Sequence, residues 1–209
     1  MLRPALLAAL FSVAAGPATA QVGRYTVAGT NPGGAGGYGG SLAVSPQGDA
    51  FRVVWETGGA PVEGIGVRQG DVLATAYGGD CGVVAYAPVD GGYEAVWATM
   101  GGTTLGTERA EEAGSEGTYR VAGTNPGSDG VYTGTLVMRA DGNATAVRWD
   151  AGGSIYEGVG LAVSGVLGVA YGAETCSVAV YDVLPDGGLD GVWTTPGASG
   201  VGSEMATPD

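Results

Sequence analysis

The sequence predicts an all-β protein built as a tandem duplication of a small barrel, each barrel having eight antiparallel strands in up-and-down order. Two observations predict this fold class. The chain after residue 20 repeats itself, and each copy divides into short alternating apolar and polar runs separated by turn signals. Two β-sandwiches are the alternative, since sandwiches show a similar spacing of strands.

The duplication appears when the chain is shifted against itself by 94 to 96 places. "YTVAGTNPG" at 25–33 then meets "YRVAGTNPG" at 119–127, "CGVVAY" meets "CSVAVY", and "DGGYEAVW" meets "DGGLDGVW". We therefore predict one barrel over residues 21–112 and a second over 113–209, joined by the acidic segment "ERAEEAGSEG" at 108–117.

Turn signals and alternation divide the first copy into eight runs. "QGD" at 47–49 and "DG" at 90–91 predict hairpins, because Asp or Asn beside Gly tolerates positive φ. Closure of the sheet removes both exposed edges and leaves room for side chains or one small ligand. The predicted strands lie near 24–30, 37–45, 50–56, 61–68, 71–77, 81–87, 93–99 and 104–109.

The duplicated "TNPG" predicts a turn at the end of the first strand of each copy. Pro32 presets φ at the second position, and Gly33 supplies the positive φ that a type II turn needs at the third. A ligand-binding loop is the less favoured alternative, because both copies must fold but only one need bind.

Large aromatic residues recur at matching, inward-facing positions of the two copies. They fill the barrel cores, or they face a ligand at a barrel mouth, and the sequence leaves both roles open. Small inward residues such as Gly40, Gly64 and Gly66 are expected to make room for the indole rings. The candidate ligand-facing residues are Tyr38, Trp55, Trp97, Tyr132, Trp149 and Trp193.

Four glutamates also occupy equivalent places, Glu63 with Glu157 and Glu108 with Glu204. A buried pair of carboxylates would indicate catalysis. We expect all four to be solvated, and the chain contains no His to act as a general base or metal ligand. We therefore predict no enzyme, no catalytic residue, no metal site and no cofactor; an enzyme using Glu63 and Glu108 is a minor hypothesis.

The two cysteines, Cys81 and Cys176, fall one in each copy, so neither predicted barrel can contain its own disulfide. Three states are compatible with this placement: a disulfide between the two units, a cross-link between two chains, or two buried thiols.

Residues 1–20 have the features of a secretory signal peptide, with Arg3, an apolar run and "ATA" before Gln21. We expect a periplasmic or extracellular protein that is not integral to the membrane, since no later segment is apolar enough for a spanning helix. Without Arg3, seven arginines face twenty-one acids, giving a mature net charge of −14. Such a charge excludes nucleic acid as a partner.

Four features of the sequence carry a resemblance to a known family: "YxVAGTNPG", the single Trp of the third strand, "CGVVAY…DGG…VW" and the closing "GSE". With these features the chain resembles a group of small secreted proteobacterial β-repeat proteins often labelled fibronectin-binding. The resemblance covers nearly all of the mature chain, twice. It implies a secreted binding protein whose partner is an extracellular matrix or cell-surface macromolecule, and it carries no set of contact residues. The predicted architecture is also similar to that of avidins and lipocalins.

The sequence thus supports two functional hypotheses. The first is a non-enzymatic binding or adhesion module of two similar barrels that present related surfaces to a macromolecule. The second is a carrier that holds a small molecule in a calyx lined by the inward Tyr and Trp residues.

Overall fold

The computed structural model describes residues 21–209, which form two closed eight-stranded antiparallel barrels. The predicted fold class is therefore confirmed, and the sandwich alternative is wrong. The segment predicted as a signal peptide, 1–20, lies outside the described residues. No helix within 21–209 has the length and apolarity needed to span a membrane.

Barrel 1 contains the first five strands of the chain and the last three. Its strands are β1 Gly23–Thr30, β2 Gly37–Gln47, β3 Ala50–Glu56, β4 Val62–Gln69, β5 Val72–Tyr77, β14 Ser177–Val183, β15 Leu189–Thr194 and β16 Gly202–Pro208. Barrel 2 contains the eight strands between them. They are β6 Cys81–Val89, β7 Gly92–Thr99, β8 Gly106–Glu112, β9 Thr118–Thr124, β10 Val131–Asp141, β11 Ala144–Ala151, β12 Ser154–Val163 and β13 Val166–Gly172.

The assignment of one barrel to residues 21–112 and the other to 113–209 is wrong. Each barrel takes five strands from one repeat and three from the other, because β5 pairs with β14 and β13 pairs with β6. The segment 108–117, predicted as a linker, is most of β8 and its turn into β9 within barrel 2. The sequence cannot distinguish the two arrangements, since β6 and β14 carry nearly the same residues and either can pair with β5.

The chain passes between the barrels at two adjacent places, after β5 and after β13. Gly78 has a φ of 109° in the first passage, and Gly172 has a φ of 125° in the second; side chains rarely tolerate this conformation. Thr175 Oγ1 donates a hydrogen bond of 2.8 Å to the Gly78 carbonyl. A disulfide joins Cys81 to Cys176 beside these passages, so the two repeats are covalently linked where they exchange strands.

Three apolar clusters hold the structure together. Two fill the barrel interiors, with Tyr25, Leu42 and Trp55 in barrel 1 and their counterparts, such as Leu136 and Trp149, in barrel 2. The third lies between the barrels and consists of the outward side chains of β4, β5, β6, β12, β13 and β14, which are mainly Val and Ala. Among them, β5, β6, β13 and β14 are buried on both faces over most of their length, because the barrel interior covers one face and the other barrel covers the second.

The predicted turns are present. Gly33 has φ 69° and ψ 12°, as the third position of a type II turn requires, and the Gly34 N–H donates to the Asn31 carbonyl at 3.2 Å. Gly48 of the "QGD" hairpin has a φ of 65° and lies against the Thr103 backbone of the other barrel, where a Cβ would meet the carbonyl oxygen at 2.0 Å. The same turn therefore requires glycine for its conformation and for the contact between barrels.

Residues 21–112 alone are expected to form a dimer that exchanges β6–β8 between two copies and is linked through Cys81. A single copy that closed on itself would expose the apolar outer faces of β4, β5 and β6, which the second barrel covers in the full chain. Light scattering coupled to size exclusion would show twice the chain mass, and a non-reducing gel would show the cross-link. A stable monomer at micromolar concentration would contradict this expectation.

Candidate functional site

Each barrel contains one glutamate buried among tyrosine and tryptophan donors. In barrel 2 this residue is Glu108 on β8, and in barrel 1 it is Glu204 on β16; their exposed fractions are 5% and 4%. The prediction that these two glutamates are solvated is therefore wrong. The sequence contained a signal for burial: Glu108 has the same inward parity as Gly106 and Ala110, both of which are buried.

Three side chains donate hydrogen bonds to the Glu204 carboxylate. Tyr181 donates to Oε1 and Tyr38 to Oε2, each at 2.7 Å. The Trp55 indole N–H lies 3.1 Å from Oε1 and 3.2 Å from the Tyr181 hydroxyl. A buried carboxylate with this many donors is compatible with a folded core.

The Glu108 centre has the same construction from equivalent residues. Tyr86 donates a short hydrogen bond to Oε1, and Tyr132 donates to Oε2 at 2.9 Å. The Trp149 indole N–H donates to the Tyr86 hydroxyl at 2.9 Å and lies 3.4 Å from Glu108 Oε1. Glu108 and Tyr86 come from the first repeat and Tyr132 and Trp149 from the second, so strand exchange brings this centre together.

Burial raises the pKa of the Glu108 carboxyl, and the hydrogen bonds from Tyr86, Tyr132 and Trp149 offset part of the rise. Burial also raises the pKa of the Tyr132 hydroxyl, with a further contribution from the nearby Glu108 charge. The tyrosine hydroxyls are therefore neutral hydrogen-bond donors to the Glu108 carboxyl group at physiological pH.

The mouth of barrel 2 contains a cavity of about 370 Å³ above the Glu108 centre. Aromatic side chains from five strands line it, and Asn125 and Thr99 add polar groups. The aromatic lining residues are Trp97, Tyr132, Trp149, Tyr156 and Tyr171, and Glu108 lies at the base of the cavity.

The aromatic rings of this wall meet edge to face. The Trp97 ring lies 6.3 Å from Tyr132 and 6.5 Å from Tyr171, with interplanar angles of 70° and 68°. Tyr171 also contacts Tyr156 at 6.0 Å and 81°. The rings therefore line the cavity at steep angles to one another, as an aromatic box, and do not form a single flat platform.

Glycines on neighbouring strands let these rings approach the backbone. A Cβ at Gly106 would lie 2.3 Å from the Trp97 ring, and one at Gly123 would lie 2.5 Å from the Tyr132 ring. Gly64 makes room for Trp55 in the predicted way, with a Cβ contact of 2.9 Å. Gly40 and Gly66 do not, since a Cβ there would meet the Glu56 carbonyl or the side chains of Leu73 and Val53.

The structure brings three of the six sequence-predicted candidates, Trp97, Tyr132 and Trp149, together around the cavity. Tyr38 and Trp55 surround Glu204 in barrel 1, and Trp193 contacts Tyr38 at 6.0 Å. Trp55 and Trp149 are 7% and 5% exposed, so they serve the core as well as the site.

The sequence did not single out Tyr156 and Tyr171. Tyr171 has a counterpart, Tyr77, in the "AYG" motif that both copies share, and this repetition was its signal. Tyr156 has no such signal, because the equivalent residue of the first copy is Val62. It is 44% exposed and lies at the rim.

The remaining acidic candidates are on the outer surface. Arg52 donates two hydrogen bonds to Glu63, at 2.6 and 2.7 Å, and Arg148 donates one from Nη1 to Glu157 Oε1 on barrel 2. Both glutamates are more than half exposed. Glu63 lies on the outside of barrel 1 and Glu108 inside barrel 2, so the two do not form a catalytic pair.

Within residues 21–209, no group of three or more acidic or cysteine side chains is arranged to hold a metal ion.

Comparisons with protein-family models, curated proteins and solved structures found no match.

Replacement of Trp55 by Ala is expected to lower the free energy of unfolding by about 3–5 kcal/mol, because the change removes a buried indole and one donor to Glu204. Urea denaturation followed by circular dichroism would measure the loss. Val62→Ala, at a residue that is 38% exposed on the next strand, is the control and should change stability by less than about 1 kcal/mol. A loss below about 1 kcal/mol in Trp55→Ala would contradict its role in the core.

The pKa values of the buried Glu108 and the exposed Glu63 should depart in opposite directions from the ordinary value of a glutamate. Burial raises the pKa of Glu108, whereas the hydrogen-bonded Arg52 lowers that of Glu63. Carbon-detected NMR of the side-chain carboxyls would show Glu108 protonating first as the pH falls. Because its folded pKa is raised, Glu108 favours folding below its unfolded pKa, and this contribution is lost as the pH rises through the folded pKa. A Glu108 midpoint at or below that of Glu63 would refute this assignment.

Proposed function

We propose that the protein is an exported, non-enzymatic binding protein whose ligand site is the mouth of barrel 2. The observation that carries the proposal is the cavity of about 370 Å³, which has an aromatic wall and a carboxylate at its base. Ligand sites in proteins are typically concave, largely apolar and supplied with a few oriented polar groups. This cavity has those properties, and side chains fill the barrel below it.

The chemistry of the cavity favours binding over catalysis. Both Glu108 oxygens already accept hydrogen bonds from residues of the core, and Glu108 is the only acidic residue in the cavity lining. The Tyr86 and Tyr132 hydroxyls lie within hydrogen-bond reach of Glu108, but burial raises the pKa of both. Neither hydroxyl is therefore suited to act as a general base or a nucleophile at neutral pH. The chain has no His, and its two cysteines form the disulfide.

A carrier of a small molecule is the form of binding that this cavity supports best. Its volume falls in the range of small-molecule sites, about 300–1,000 Å³.

The disulfide agrees with export of the protein, since disulfides persist in oxidising compartments. The formal net charge of the chain, −13, opposes phosphate-rich partners such as nucleic acids.

An adhesion module is the second candidate, and exposed apolar residues of barrel 2 favour it. Val131, Ile155 and Tyr156 are 72%, 57% and 44% exposed, and Tyr156 lines the cavity. Exposed apolar residues near a pocket are suited to a macromolecular partner that inserts one group into it. The resemblance to secreted repeat proteins labelled fibronectin-binding makes a matrix or cell-surface macromolecule the partner in this case.

Native mass spectrometry of the protein purified from its own host is expected to show a retained small ligand. In a second measurement, titration with a neutral apolar fluorophore should quench the tryptophan fluorescence of the protein until the site is saturated. Trp97→Leu should weaken binding of the fluorophore at least tenfold. Trp193→Leu, the equivalent change in barrel 1, is the matched control and should leave binding unchanged.

Absence of any retained ligand and of any probe binding would contradict the carrier function. In that event, binding to immobilised fibronectin that is lost in Ile155→Ser would support the adhesion module. No binding in either assay would refute both candidates and the proposed site.

A further inference from the structure

We propose that the cavity of barrel 2 recognises an organic cation, an alkylated ammonium group, with the aromatic box as its wall and the Glu108 carboxylate as its counter-charge. This inference rests on the proposed function and specifies the chemical class of its ligand. Three independent features of the site lead to it: the arrangement of the rings, the distribution of charge and the difference between the two barrels.

The arrangement of the rings suits a compact cation. Aromatic faces carry negative electrostatic potential and attract a cation placed within about 6 Å of the ring centre. Trp97, Tyr132 and Tyr171 line the cavity at steep angles to one another, so a cation bound there lies among aromatic rings on several sides. A flat apolar ligand or a sugar ring is better served by one open platform than by a box.

The charges around the cavity have the sign that a cation requires. Glu108 is its only ionisable acid, and its Oε2 accepts one hydrogen bond, from Tyr132, leaving acceptor capacity free. No Arg lies in the lining. The nearby Arg109 and Arg148 are engaged with Glu94 and Glu157 on the outer face of the barrel.

The first barrel provides an internal comparison. Glu204, Tyr38 and Trp55 reproduce the carboxylate centre, but Val62 stands where barrel 2 has Tyr156 and Thr57 stands where it has Ala151. Tyr156 thus adds one more aromatic ring at the rim, and Ala151, which also lines the cavity, is smaller than its counterpart Thr57. The two barrels share the buried centre and differ at the cavity mouth, which is where a ligand would enter.

The test compares choline with 3,3-dimethylbutan-1-ol, which has nearly the same shape but carries carbon in place of the charged nitrogen. Isothermal titration calorimetry of the full-length protein is expected to show one site that prefers choline at least tenfold, equivalent to about 1.4 kcal/mol. Tyr156→Val should weaken choline binding at least fivefold, with Val62→Ala as its matched control in barrel 1.

Glu108→Gln should abolish the preference for choline over the neutral alcohol, whereas Glu204→Gln should retain it. Tyr156 lies at the rim, so its variant tests the proposal even if a change at Glu108 impairs folding, which circular dichroism would reveal. Equal or tighter binding of the neutral alcohol, or no binding of choline, would overturn the inference. Binding of the neutral apolar fluorophore in the same preparation would show that the proposed function survives that failure.

Discussion

The pairings of β5 with β14 and of β13 with β6 are the constraint on which the rest of the structure depends. Neither barrel is closed without them, because each lacks three strands that the other repeat supplies. They also bring the residues of both carboxylate centres together and align the apolar strands that pack between the barrels. The disulfide between Cys81 and Cys176 joins the repeats at the same place.

A buried carboxylate is costly, and the way this cost is offset explains the aromatic composition of the barrels. An isolated ionised group in an apolar core would be strongly destabilising, whereas one that accepts several hydrogen bonds is tolerated. Tyrosine and tryptophan supply both the apolar surface that a narrow barrel needs and the donors that Glu108 and Glu204 require. Glycines opposite these rings, such as Gly106 and Gly123, have no side chain and so leave the space that the large rings occupy.

Local features of the sequence predicted most of the fold but not its connectivity. Alternation and turn residues located the strands closely, as at 50–56 and 81–87, observed as Ala50–Glu56 and Cys81–Val89. Strand exchange left no local signal, since β6 and β14 are nearly interchangeable partners for β5. At the site, the inward parity of Trp97 and Tyr132 was readable, but the burial of Glu108 was missed because a charged residue ordinarily indicates a solvated face.

Duplication gives each barrel the same supporting centre and leaves the rims free to diverge. Residues such as Glu204 and Trp55 are held in place by the core, so a change there alters folding as well as any site. Rim positions are less restricted: Val62 and Tyr156 are both exposed, so exchanging one for the other is expected to change the mouth and leave the carboxylate in place. A binding site can therefore be specialised in one barrel through a few surface substitutions while the other barrel retains the shared architecture.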